Sequence, residues 1–569
     1  MTYLKTDSLQ YLNQLHININ QLETLDLSNN KNLTYLSCVY NKLKSLDVNQ
    51  NLYLRNLDCS NNLLELLYIK NANPEADILE FSNNPNLQYI CCDEMQFSDI
   101  LLKTQQYGNT QTVVGTYCNF DPGGPVFNFQ SHSRYDADLN NCSVTDPDFK
   151  IKYQFTDSTG FNQQVIPFEG VLKMALNAGK YNIKPIIDTA LFNIVPKSVT
   201  VDFPTMSSPH LADFCVAPIN VVHDLEVALI PIIPLRPGFD ARFKLACTNK
   251  GNQLAAGSVS LVYDEDRLDF ISSDISTSTQ STGSASWNFT DLLPNATFEV
   301  IITFNCNSPV ETPAVNVGDI LSFYTEATGL SPETTPSNNS FALRQTVVGS
   351  YDPNDKTCLQ GERLDPDMVG EYVHYLIRFE NTGTYPAEFV VVKDIINTST
   401  FDIKTLEIVD ASHPMYARVS QGNIVEFIFE NINLPFDDAN NDGYVAFRIR
   451  TRAGLSIGDK LENSAAIYFD YNHPIITNTA QTVIAPLVDT YTPGDKNAIR
   501  LSPNPATNRV YFHSEQAISH VQVHSAEGRL LYSGQLQNNS LSLEGMAQGV
   551  YWVRVYTETG IETLKFIKS

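Results

Sequence analysis

Val550-Tyr551-Trp552-Val553-Arg554-Val555-Tyr556 is the longest regular run between Leu501 and Ser569. Tyr551, Val553 and Val555 fall on one face of a strand, and polar or amphipathic residues take the other. Shorter runs precede it: Val510-Tyr511-Phe512, Val521-Gln522-Val523 and Arg529-Leu530-Leu531-Tyr532. Glu558-Thr559-Gly560 predicts a hairpin turn into a last strand, Thr563 to Ile567. Taken together, these short runs and the turn predict a small antiparallel sandwich.

The rest of the chain follows the same rule. Helix-period runs are almost absent, so the fold class is mostly β. A length of 569 residues exceeds one core and suggests about four or five domains. A net charge of −26 argues against nucleic acid or an anionic membrane as partner, because phosphate needs a basic surface. No apolar run reaches the roughly 18 residues of a membrane helix, so no transmembrane segment is expected. Ten Cys are compatible with an oxidising compartment.

The first domain, residues 1–118, is a repeat array. Leu15, Leu36 and Leu57 stand 21 apart, as do Ile17, Cys38 and Cys59, and Asn20, Asn41 and Asn62. Leu22, Leu43 and Leu64, then Leu25, Leu46 and Leu67, then Leu27, Val48 and Ile69 keep the same register. Leu-x-Cys-x-x-Asn-x-Leu is a leucine-rich-repeat signature, in which apolar columns stack into a core and Asn amides form a ladder on the turns. Half-turns such as Leu25-Asp26-Leu27-Ser28-Asn29-Asn30 repeat the pattern, so each turn is expected to carry two short strands. Cys38 and Cys59 occupy an inward column and are read as core thiols. An insertion near Asn71-Pro74-Asp77 breaks the register, and a closing segment runs to Cys118. Met1-Thr2-Tyr3-Leu4 is similar to Leu33-Thr34-Tyr35-Leu36, and no cap or secretory signal precedes it, so the N-terminus is expected to be truncated.

Four further resemblances order the remainder. The Pro-Asn-Pro-Ala-Thr-Asn start at Pro503, Gly528-Arg529, Met546-Ala547-Gln548-Gly549-Val550-Tyr551 and the closing Lys565-Phe566-Ile567-Lys568 resemble the C-terminal sorting domain of type IX secretion. That resemblance implies export across the outer membrane, an extracellular or outer-membrane-surface location, and the secretion machinery as partner of residues 501–569. Residues 119–204, after the turn-rich Phe120-Asp121-Pro122-Gly123-Gly124-Pro125, resemble the B-type, prealbumin-like sandwiches of surface adhesins through Tyr135–Cys142, Phe155–Gly160 and Ala178–Ile183. Residues 205–347 resemble an immunoglobulin-like adhesin sandwich through Val222–Val227 and Phe243–Gly251. Residues 348–487 resemble an uncharacterised sandwich that recurs before sorting tails, through Ser350–Lys356, Phe379–Thr384 and Ala466–Asn472. Residues 488–500 are the expected linker. Cys118 with Cys142, and Cys247 with Cys306, are the candidate disulfides.

There is no metalloprotease helix, nucleophile elbow, phosphate loop or dinucleotide fingerprint, so no catalytic residue is assigned and no enzyme is expected. His374 is placed on the solvent side of a strand and His473 in a turn. Asp136-x-Asp138-x-Asn140 and Asp438-x-Asn440-x-Asp442-Gly443 space oxygens at positions 1, 3 and 5 of a calcium loop, although Pro147 and Ile449 stand at position 12. The alternative is a polar turn, which the same residues favour. Calcium is thus the candidate ion, and no cofactor is required. Tyr35, Ser37, Tyr40, Arg55 and Asp58 are the candidate binding residues, beside the leucine columns on the broad face of the array. The expected function is a surface or secreted binding protein, with a protein or glycan on the array and the sandwiches as a string of spacers. An extracellular hydrolase and a purely structural surface component are the alternatives.

Overall fold

The computed structural model describes all residues except 73–77, 119, 123–124, 350–351, 487–499, 503, 515–517, 526–528, 537–538, 558–560 and 569. The expected linker apart from Arg500, the Glu558-Thr559-Gly560 turn, Gly123-Gly124 and the middle of the insertion at Pro74 and Asp77 therefore lie outside the described residues.

The N-terminal repeats coil into a β-solenoid with two parallel sheets. Gln14–His16, Tyr35–Ser37, Asn56–Asp58 and Ile78–Glu80 form the first sheet, with Leu15, Leu36, Leu57 and Leu79 in register. Ser45–Asp47, Leu66–Tyr68, Tyr89–Cys91 and Val113–Gly115 form the second. The three coils that follow the first thus give two three-residue strands each, as the half-turns predict, and the middle residue of each points inward. Leu36, Cys38, Leu43, Val48, Leu57, Cys59, Leu64 and Ile69 are fully buried. Where the chain leaves the first sheet, Ile19, Tyr40, Asn61 and Asn83 take left-handed φ of 55–58°. The next residue in three of these turns, Asn41, Asn62 or Asn84, bonds back to the carbonyls of its own and the preceding coil. A helix, Phe97–Gln106, closes the end of the first sheet: Ile100 enters the core and Lys103 Nζ donates to Leu79 O at 2.9 Å.

Cys38 and Cys59 are buried free thiols, pushed up in pKa by burial. The disulfides differ from expectation. Cys118 pairs with Cys91, not Cys142, because Gly115 stacks on Cys91 and the chain then turns back over it. Cys142 pairs with Cys215, whose strand lies beside Arg134. Cys247 and Cys306 remain free. Their strands are neighbours in one sheet, with Cys247 opposite Phe298 and Cys306 at the far end, so no bridge between facing sheets is available.

The sandwiches are not a string of separate spacers. Phe214–Pro218 pairs with Phe127–Tyr135, so the first sandwich reaches beyond residue 204. Asn162–Pro167 of that sandwich also pairs with Tyr416–Ser420 of the last one, making one nine-stranded sheet across both. The core of the second sandwich, built on Trp287, Phe243, Phe304 and Phe323, includes Leu359, Leu376, Tyr444 and Ala446 from the last sandwich. At that junction Lys244 Nζ meets Asp410 Oδ2 at 2.8 Å, and Tyr444 OH donates to the same oxygen at 2.6 Å. His374 belongs to this junction and is not a solvent-side residue. Phe341 packs edge-on to it at 5.1 Å, and burial pulls its pKa down to about 4. The tail is a separate pair of antiparallel sheets in which Tyr551, Val553 and Val555 are buried, and Ile561–Lys568 pairs with Gly549–Thr557.

Candidate functional site

The two faces of the solenoid have different surroundings. On the second sheet, the Tyr89 ring lies 4.9 Å from Tyr471 of the last sandwich. Tyr117 continues the seam, 5.1 Å from Tyr468, and Phe120 packs on Phe389 at 5.2 Å. The Tyr117 hydroxyl donates to Glu426 Oε1 at 2.5 Å, and Arg418 Nε donates to Glu426 Oε2 at 2.7 Å. Burial works against the Glu426 carboxylate, yet Arg418 and Tyr117 hold it below the usual range. The second face is therefore an internal joint.

The first sheet carries two outward columns, Gln14–Tyr35–Asn56–Ile78 and His16–Ser37–Asp58–Glu80. Tyr35 lies against His16 with ring centroids 4.6 Å apart. Asp58 Oδ1 accepts from Ser60 N at 3.1 Å and Ser60 Oγ at 2.7 Å. Ser37, expected on the surface, is only 4% exposed, because its hydroxyl turns aside to donate to Asn18 Oδ1 at 2.8 Å. Tyr40 is 59% exposed on the left-handed turn after the first sheet, and exposed Arg55 precedes the strand Asn56–Asp58. The candidates thus form a ridge: Tyr35 and Asp58 are on the sheet, and Arg55 and Tyr40 are on its opposite borders. Such a surface offers ring stacking, a cation and acceptors to a ligand, with Ser37 beneath as support.

The two candidate calcium loops are closed by their own chain. Asp136 accepts the backbone N–H of Asn140 and of Asn141 at 3.1 and 3.2 Å. Asp138 Oδ2 accepts the Asn140 side-chain amide at 2.6 Å. In the second loop Asn440 bonds Asp437, while Asp442 stands opposite Glu380, and burial with the Glu380 charge raises its carboxyl. Turn formation accounts for these contacts. Among the described residues no group of three His, Cys, Asp or Glu side chains gathers for a metal.

Two features escaped the sequence. The first is a cavity of about 540 Å³ where the three sandwiches meet. Glu407 there joins Lys250 at 2.8 Å and Arg448 at 2.7 Å, and Arg448 also pairs with Glu226. Burial, then Arg450, pulls the Arg448 guanidinium down to about 9. These ion pairs connect residues far apart in the chain, so no local pattern announces them. The second is a charged cluster inside the last sandwich. Lys356 Nζ meets Asp394 Oδ2 at 2.5 Å with both side chains at 0% exposure, and Asn463 Nδ2 donates to the same oxygen at 3.2 Å. Its one sequence signal is that Lys356 shares the inward face of its strand with Cys358. The neighbouring motif residues position the strand: Asp355 grips Arg378 through two bonds of 2.6 Å, and Asn354 Oδ1 accepts the Glu380 N–H at 3.2 Å.

The described chain is thus an all but helix-free assembly of a solenoid, packed sandwiches and a terminal sandwich. Residues 500–569 match the family described as secretion system C-terminal sorting domain, and residues 352–483 match a domain of unknown function, DUF7619. The chain is accordingly exported by the type IX route to the cell surface or extracellular space, and its tail engages that machinery. No described helix is long and apolar enough to cross a membrane. No curated protein matches the chain. Among solved structures it is similar to the major pilin subunit BcpA of Bacillus cereus, at 10% identity over 63% of this chain and 96% of that one, with a TM-score of 0.19. It is also similar to the collagen adhesin CNA of S. aureus, at 14% identity over 47% and 93%, with a TM-score of 0.17. The full-length major pilin SpaD of Corynebacterium diphtheriae is a third, at 11% identity over 47% and 74%, with a TM-score of 0.16. Likenesses this slight fix neither fold nor activity.

Proposed function

We propose that the chain is a non-enzymatic surface binding protein whose leucine-rich-repeat array recognises a protein or glycan through the first-sheet ridge. The supporting observation is the asymmetry of the solenoid: one sheet is sealed against the last sandwich, while the ridge of Tyr35, Asp58, Arg55 and Tyr40 faces outward. The fused sandwiches then act as a rigid base that fixes the direction of that ridge. Binding requires no cofactor, and calcium at Asp136, Asp138 and Asn140 would act on the base alone.

The test is a glycan- and protein-array screen of the full chain, with calcium and with chelator, alongside Tyr35→Ala and Arg55→Ala. Retention of a ligand that both substitutions weaken tenfold or more supports the proposal. A ligand indifferent to both, or hydrolysis of the arrayed glycans, overturns it.

A further inference from the structure

The Lys356 cluster is costly as an ion pair. Two charges wholly removed from water lose several kcal/mol of solvation each, and one short contact repays that poorly. The surroundings add little: Tyr375 and Phe447 place their rings 5.1 and 5.3 Å from Nζ, and Asp394 Oδ1 is buried with no hydrogen-bond partner. Burial lowers the Lys356 pKa and raises that of Asp394, so both shifts favour a neutral amine beside a neutral acid. A neutral amine held in an apolar pocket is a nucleophile. The group that shares its acid is a carboxamide, because Asp394 Oδ2 contacts Lys356 Nζ and Asn463 Nδ2 together.

We propose that Lys356 and Asn463 join in an intramolecular amide bond, with Asp394 as the proton carrier. The Nζ lone pair attacks Asn463 Cγ while the protonated Asp394 gives its proton to Nδ2. The Cγ–Nδ2 bond breaks, ammonia leaves, and the Asp394 carboxylate so formed takes the proton that Nζ sheds. A primary amine and a primary amide become a secondary amide and ammonia, with no oxidant or other reactant. Confinement of amine, carbonyl and acid in one rigid pocket supplies the effective concentration that the reaction lacks in water. Asp394 is suited to carry the proton because its single oxygen faces both nitrogens.

The bond would be placed to resist pulling. Lys356 lies on the module's opening strand, Lys356–Cys358, and Asn463 ends Lys460–Asn463 near the module's close. Asn478 fixes the Lys356 backbone on both sides, accepting its N–H at 2.8 Å and donating to its carbonyl at 3.0 Å. The amide would therefore fasten the two ends of the sandwich that adjoins the sorting tail. It holds whether or not the array binds a ligand.

The decisive measurement is the intact mass of the reduced, denatured full chain, followed by tandem mass spectrometry of its tryptic digest. The expected result is a mass one ammonia below that of the sequence, and a branched peptide joining Lys356 to Asn463 with no cleavage after Lys356. Asp394→Asn and Asn463→Ala should each restore the full mass. Full mass in the wild type overturns the proposal regardless of how the variants fold. A deficit of one water with a branch at Asp394 overturns the choice of Asn463, and a cross-linked Asp394→Asn overturns the proton carrier.

Discussion

Replacing Asn62 by Ala tests the ladder that shapes the solenoid. Asn62 Oδ1 accepts the Leu43 N–H at 3.1 Å, and Nδ2 donates to the carbonyls of Cys38, Cys59 and Ser60 at 3.1–3.2 Å. The carbonyls keep other donors: Asn41 for Cys38, Asn84 for Cys59 and the Tyr40 N–H for Ser60. The Leu43 N–H keeps none of these, and a buried orphan donor costs about 1–3 kcal/mol. Loss of the shared carbonyl bonds adds about 1 kcal/mol, so the whole is about 2–4 kcal/mol. At tenfold per 1.4 kcal/mol, the Leu43 amide should exchange with deuterium roughly thirty-fold faster or more. The Leu22 amide, held by Asn41, should change less. Gln88→Ala, on an exposed side chain of the same array, should stay within about 0.5 kcal/mol of wild type. Unchanged Leu43 protection in Asn62→Ala would refute the assignment of the Asn column as the turn's hydrogen-bonding partner.

Other expectations concern the joints. Tyr117→Phe removes the hydroxyl donor of buried Glu426 and should cost about 1–3 kcal/mol, read as faster deuterium exchange along the seam while the solenoid ladder stays protected. His374 is held to about 4 when folded against an ordinary 6.5. The unfolded chain therefore takes up a proton first, and stability falls as pH drops from 6.5 toward 4, by up to about 3 kcal/mol. Thermal melts across that window should show the slope, and His374→Gln should remove this share of it. Cys215→Ser opens a bridge with a sequence separation of 73 and should cost about 2–4 kcal/mol. A reductant should lower its melting temperature by less than the wild type's, the remaining drop belonging to Cys91–Cys118.

The solenoid was readable because its contacts are local and periodic: a residue stacks on its counterpart one coil away, so a 21-residue column in the sequence is a column in space. Two strands per coil followed from the half-turn repeat for the same reason. The tail strands showed themselves by alternation, as at Tyr551, Val553 and Val555. Contacts between distant segments gave no such signal. Cys118 lies nearer in sequence to Cys142 than to Cys91, yet the coil geometry selects Cys91. His374 alternates like a solvent-facing residue, and only the neighbouring sandwich buries it. Ser37 has the right position for a surface residue, and one rotamer toward Asn18 hides it. For the candidate site, the sequence placed the candidates beside the leucine columns but not which of the solenoid's two faces is occupied, since Tyr471 and Tyr89 meet only after folding.

The pairing of Asn162–Pro167 with Tyr416–Ser420 makes two sandwiches indivisible. Cutting the chain between them would expose a raw edge on each half, with backbone donors and acceptors ready to zip onto any passing strand. Fragments expressed to isolate either sandwich should clump for that reason alone. By the same token, a recombination event could not exchange one of them without its mate: two stretches separated in the gene must be inherited as a single unit.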